Sequence, residues 1–127
     1  MTENDEYIHT LIERERKSDW TRPCLEMVRL RELLDSAGIG WHDQSVRNGN
    51  HTIHRTISDA MVVVDECGEK VEHRVFSVVW GQFTYGGADG LLEVWPWYAE
   101  DPGGYYSAET VFELCVDAVA RAKEARS

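Results

Sequence analysis

The sequence predicts an α+β fold: two N-terminal helices, an antiparallel β-meander of four to five strands, and a C-terminal helix packed on the sheet. Three observations predict it. Apolar residues recur at helical spacing as far as Ala37, the period changes from Ile39 into strand-like runs such as the alternating 51–57, and helical spacing returns after Ser107. The hydrophobic share, 43%, is that of a globular chain and not of a disordered one. No internal repeat, low-complexity tract or linker interrupts the 127 residues, so 1–127 read as one domain, long enough to bury a core.

Residues 5–17 read as a short helix with Tyr7, Ile8, Leu11 and Ile12 on one stripe, closing in a solvated run of mixed charge at 13–17. After a break at 18–21, a second helix spans 23–37, with Pro23 in its first turn and Gly38 to end it. Cys24, Met27, Leu30, Leu34 and Ala37 form its apolar stripe. Residues 41–44 make a short edge strand and 47–50 a turn. Strands follow at 51–57 and 61–66, and a reversal at 67–70 leads into a single strand at 71–80. A glycine-rich connection precedes the strand at 91–95. Ser107 caps the last helix, whose first turn carries Glu109 and whose buried side holds Val111, Phe112, Cys115, Val116, Val119 and Ala122. The expected core is Met27, Leu30, Leu34, Val62, Val64, Phe76, Val78, Leu92, Phe112, Val116 and Val119. Strand 61–64 is apolar on both faces, so periodicity alone does not choose its buried side.

Charge and cysteine usage bound the function. A net charge of −10 argues against direct nucleic-acid binding, which needs clustered Lys and Arg, and suits a partner with a basic surface. No apolar run approaches the roughly 18 residues of a membrane span. The acidic start, Met1-Thr2-Glu3-Asn4-Asp5-Glu6, resembles neither a secretory signal nor a transit peptide, so the expected location is cytoplasmic. Cys24, Cys67 and Cys115 are odd in number and widely spaced, as free thiols are. Cys67, in a turn, is the one expected to react.

The segment 81–106 differs from the rest. It carries Asp89, Glu93, Glu100 and Asp101 with no Lys, Arg or His, and seven of the thirteen aromatics. Six of the ten glycines and two of the three prolines also fall here, which forces loops to the surface. Aromatic anchors beside carboxylates are what a basic or apolar partner meets, so Tyr85, Asp89, Trp97, Glu100, Asp101 and Tyr105 are the expected binding residues. The competing reading is architectural: Trp95 and Trp97 seal the sheet edge, and the tyrosines pack over helix ends.

No catalytic spacing stands out. His51 and His54 fall on opposite faces of a strand, and His42-Asp43 reads as a hydrogen-bonding pair in a loop, so no metal or other cofactor is expected. The run 85–90 is glycine-rich but lacks the Lys and Ser/Thr of a phosphate-binding loop; it reads as a hairpin connection needing positive φ. Ser58 and Ser77 have no nucleophile elbow around them. A paired-carboxylate hydrolase using Glu93 with Asp65 or Glu72 has no local motif to betray it.

The runs Ser77-Val78-Val79-Trp80-Gly81, Tyr85-Gly86-Gly87 and Gly90-Leu91-Leu92-Glu93 resemble small uncharacterised proteins carried by phages and prophages of gut-type Gram-positive bacteria. Gly38-Ile39-Gly40-Trp41-His42-Asp43, Arg55-Thr56 and Ser107-Ala108-Glu109 belong to the same likeness, which covers roughly residues 30–120; residues 58–70 are longer than its pattern. It implies a mobile-element accessory protein, a class that often blocks host defence, and it assigns no catalytic residue. The expected function is therefore a non-enzymatic, anti-CRISPR-like inhibitor that engages a basic groove of a host protein, such as a nucleic-acid-binding effector. The alternatives are a module sequestering a small ligand or nucleotide, and a small hydrolase.

Overall fold

The computed structural model describes residues 20–49, 51–98 and 103–126. The helix expected at 5–17 lies outside the described residues. The second expected helix is present as α1 (Leu25–Ser36). Its end is a glycine stop: Gly38 takes φ 71, and the Ile39 N–H reaches back to the Leu34 carbonyl at 2.9 Å. The C-terminal helix, α2 (Ala108–Arg126), begins where the Ser107 carbonyl accepts the Val111 N–H at 3.1 Å.

Among the described residues between them run eight strands, where four to five were expected: β1 (Trp41–Asp43), β2 (Val46–Asn48), β3 (His51–Ser58), β4 (Ala60–Val64), β5 (Lys70–Arg74), β6 (Phe76–Gly81), β7 (Leu92–Pro96) and β8 (Gly103–Tyr106). All pairings are antiparallel, in a main sheet of order β1–β3–β6–β7–β8 with β2 also on β3, and a two-stranded arm, β4–β5. Two of the additional strands come from interruptions within longer ones, and the third, β8, is a further strand paired with β7. β1 and β2 pair with β3 in one continuous register, broken where the Arg55 N–H donates to Ser45 Oγ at 3.1 Å instead of to a ladder carbonyl.

The strand expected at 71–80 is likewise split. The β3–β6 and β4–β5 pairs keep one register: Ile57 lies opposite Ser77, and Ala60 opposite Arg74. At the bend between them, Ser58 Oγ accepts the Phe76 N–H at 3.0 Å, and the Trp97 N–H takes the Val75 carbonyl at 2.9 Å. Both bonds divert the ladder, and β4–β5 leaves the main sheet as an arm.

Helices α1 and α2 cover one face of the main sheet. Met27, Leu30 and Leu34 of α1 meet Phe76, Val78, Trp80, Leu92 and Val94, all buried. Five expected core positions need correction. Val62 and Val64 are 55% and 61% exposed, because α2 packs against β4 and takes Met61 and Val63 inward. On α2 the fully buried line is Ala108, Val111, Cys115, Ala118 and Ala122, mostly small side chains that let the helix lie close. Phe112 and Val119 flank that line half-buried, and Val116 is exposed.

Candidate functional site

Alternation along a strand sends every second residue to the face that the described helices leave uncovered. There, Ile53 and Arg55 of β3, Ser77 and Val79 of β6, and Glu93 and Trp95 of β7 line a shallow groove of about 520 Å³, together with Thr84. Register sets Arg55, Val79 and Glu93 in one row across three strands. Glu93 is buried, and its Oε2 accepts the Tyr85 N–H at 3.3 Å.

The connection from β6 to β7 is the hairpin with positive φ that its glycines predict: Gly86 has φ 75 and Gly90 φ 71. Thr84 Oγ1 accepts the Gly81 N–H at 3.0 Å and donates to the Gly81 carbonyl at 2.9 Å, and Trp80 Nε1 donates to the Gly87 carbonyl at 2.9 Å. The turn is closed so tightly that a Cβ on Gly87 would lie 2.1 Å from the Gly81 carbonyl oxygen.

That turn aims Tyr85 at Tyr105 on β8, with ring centroids 6.1 Å apart. Both rings are open to solvent, 54% and 64% exposed. Tyr105 holds φ 65, the one left-handed non-glycine among the described residues, a conformation costing about 1 kcal/mol or more for a side chain of its size. A Cβ on Gly104 would stand 2.3 Å from Tyr85 Cβ, so glycine is what lets the two tyrosines come together. Backbone strain and a close glycine approach thus hold two aromatic rings in water, which core packing does not call for.

Of the six residues expected to bind, Tyr85 and Tyr105 are brought together. Asp89 is exposed in the short 3-10 turn Gly87–Asp89 of the same connection. Glu100 and Asp101 lie outside the described residues. Trp97 is placed elsewhere: its Nε1 donates to the Ala118 carbonyl of α2 at 3.2 Å, and it stacks edge-on against Tyr98. Tyr98 in turn donates to Asp117 at 2.8 Å beneath the Arg121 guanidinium. Desolvation, then the Asp117 hydrogen bond and charge, push the Tyr98 phenol up. The pair pins the end of β7 to α2. Sequence reasoning missed Thr84, Trp95 and Arg55, although the alternation of 51–57 with 91–95 carried the signal for the last two.

The other chemical candidates resolve individually. His42 hydrogen-bonds Asp59, not its neighbour Asp43, which accepts from Ser45 and is held below the usual carboxylate range chiefly by that side-chain bond. His51 bonds Gln82 at 2.8 Å on the exposed side, whereas His54 is buried against Trp80 with Nε2 on the Trp20 carbonyl, so the two do fall on opposite faces. Among the described residues no three His, Cys, Asp or Glu side chains converge. The Ser58 hydroxyl is occupied, donating to the Asp59 carbonyl and accepting from Phe76. Glu93 belongs to the main sheet, and Asp65 and Glu72 to the arm, with the Asp65 carboxylate spent on the Cys67 and Glu69 N–H groups of the tip. The carboxylate pairing of a hydrolase is therefore not assembled from these residues.

No helix of the described residues is long and apolar enough to cross a membrane. Comparison with known families, with curated proteins and with solved structures finds no match.

Proposed function

We propose that this chain is a non-enzymatic binding protein, an accessory of mobile elements that inhibits host defence by laying the Tyr85–Tyr105 rim on the basic groove of a host protein. The observation that carries the reading is Tyr105, strained into left-handed backbone and exposed against Tyr85. Rigid aromatic rings with few torsions are strong anchors, because little entropy is lost when they are covered. A net charge of −10, with Asp89 beside the rim and Glu100 and Asp101 in the segment before β8, suits a basic counterpart.

The test is capture from host lysate by the tagged full chain, followed by binding measurements on the captured protein. Tyr85→Ala and Tyr105→Ala are expected to weaken binding by about 30-fold or more, the loss of a well-packed aromatic contact. Glu100→Gln with Asp101→Asn slows association more than it speeds release, and the parent's affinity falls steeply with salt. Folded tyrosine variants that bind as the parent does remove the rim from the reading.

A further inference from the structure

We infer that the free edge of β5 is an interface with a second copy of this chain, the two β5 strands pairing antiparallel about a twofold axis at Val71. The inference goes beyond the host-partner reading and stands without it.

β4 and β5 form a two-stranded arm, and among the described residues β5 has no ladder partner but β4. A lone hairpin is marginal in water, because each strand leaves one row of backbone groups without a ladder. Lys70, Glu72, His73 and Arg74 are exposed and Val71 is half-buried, so this edge is open. The Asp65 N–H donates to the Glu69 carbonyl at 2.8 Å, which fixes the phase of the ladder. Counting on in twos, Val71 bonds with Val63, and the backbone groups of Lys70, Glu72 and Arg74 point away from β4. The free stretch has defined ends. On one side the Trp97 N–H takes the Val75 carbonyl, and on the other the turn at 65–68 leads back toward β4.

Charges on an edge ordinarily keep other strands away, but here their order complements itself when reversed. Backbone phase restricts the axis to single residues of β5, and charge then chooses among them. An axis at Lys70 sets that residue against its own copy. An axis at Glu72 does the same for Glu72 and sets Lys70 against Arg74. An axis at His73 drives Lys70 and Val71 into the place that Pro96 and Trp97 hold beside Phe76 and Val75. An axis at Val71 sets each Lys70 opposite the other copy's Glu72, and each of these two pairs exchanges both its backbone bonds. One step further out, Glu69 faces the other copy's His73. The joined arms make a four-stranded sheet in which Val63 and Val71 of both copies form one unbroken apolar row. The pairing is isologous, as a closed dimer requires.

The length of the edge sets the strength. Five-residue strands joined edge to edge cover far less than the roughly 800 Å² per partner of a standard interface, so the dimer is reversible and concentration-dependent. Because the strands run antiparallel, the two main sheets stand at opposite ends of the joined arms.

The experiment is sedimentation of the full-length chain over a wide concentration range, with Lys70→Glu, Glu72→Lys and their equimolar mixture. The parent is expected to pass from monomer to dimer. Each single variant sets like charges opposite each other twice, and its dimerisation is expected to weaken by about tenfold. The mixture restores the dimer as a heterodimer: the acidic position 70 of one variant faces the basic position 72 of the other, while the second pair stays native. A second measurement reads the register. Val71→Cys, made together with Cys67→Ser, is expected to form a disulfide-linked dimer under mild oxidation, since facing residues at the axis have Cα atoms about 4.5 Å apart. Val62→Cys in the same background, on the other strand of the arm, is expected to stay unlinked. A parent that is monomeric at every concentration overturns the inference and leaves the charges of β5 as protection of an edge. A dimer indifferent to both charge variants, or variants that the mixture does not rescue, overturns it equally. A link at position 62 and not at 71 places the contact on β4 and refutes the pairing. Should a charge variant fail to fold, the parent and the Val71→Cys link still decide.

Discussion

The two faces of the main sheet are built from alternate residues of the same three strands, yet they are chemically opposite. Toward the helices, Phe76, Val78, Leu92 and Val94 are at most 1% exposed. On that side Thr56 accepts from Arg31 Nε at 2.9 Å and donates to Met27 Sδ, and His54 bonds the Trp20 carbonyl. Toward the other side, Trp95 is exposed and Ile53, Arg55 and Ser77 are half-buried, beside Val79 and Glu93, which are each 8% exposed. The contrast separates a face closed into the core from one that is partly exposed.

The largest expected effect tests that separation directly. Phe76→Ala, at a fully buried position, is expected to cost about 3–5 kcal/mol in urea unfolding, from lost transfer energy and the cavity left behind. Trp95→Ala removes a larger ring, but one that is 40% exposed on the open face, and at low protein concentration it is expected to cost about 1 kcal/mol. Equal losses would mean that the open face contributes as much to the stability of a single chain as the covered one, and the separation would collapse.

The arm repeats the comparison on a smaller scale. Met61 is 2% exposed and Val62 55%, although they are neighbours in an unbroken apolar run. Met61→Ala is expected to cost about 2–4 kcal/mol and Val62→Ala about 0.5 kcal/mol or less, measured by thermal or urea unfolding. Reversed magnitudes would place the other side of β4 against α2.

Much of this architecture is legible in the sequence, and the failures share a cause. Gly38, Ser107 and the period change at Ile39 mark real boundaries, because caps and periodicity are local. The burial of Met27, Leu30 and Leu34 follows from spacing alone. Val62 and Val64 could not be placed, since an apolar run on both faces leaves the choice to a helix more than forty residues away. On α2, Ala108, Ala118 and Ala122 are buried alongside Val111 and Cys115 while Val116 is exposed, whereas hydrophobicity ranks valine above alanine wherever the packing is unknown. The site shows the same limit. Aromatic density singled out the segment that holds Tyr85 and Tyr105, but it could not tell those rings from Trp97, whose bond to Ala118 is a tertiary event.

The smallest effect concerns the thiols, which sample the same division between interior and surface. Cys115 faces the core from α2, and desolvation pushes its thiol from 9.0 up to about 12; Cys24, half-buried before α1, is raised as well, first by burial. Cys67 is exposed at the tip of the arm. In native protein a disulfide reagent near neutral pH is therefore expected to modify Cys67 first and Cys115 last, since the thiolate is the reacting form. The same shift has a thermodynamic consequence whose sign is fixed. Below about pH 9, Cys115 is protonated in both folded and unfolded chains and leaves no mark on the pH dependence. Between 9 and about 12 the unfolded chain releases the proton while the folded chain keeps it, so the contribution present below pH 9 is lost as pH rises through that window. One proton contributes a slope of at most about 1.4 kcal/mol per pH unit. Tyr98, raised by desolvation and by Asp117, steepens the decline above pH 10 in the same direction. Urea midpoints between pH 8.5 and 10.5 for the parent and for Cys115→Ala read this out: the variant is less stable at pH 8.5 but loses stability more gently as pH rises. Parallel declines in the two proteins would show that the Cys115 thiol ionises as easily folded as unfolded, and that this stretch of α2 is open to water.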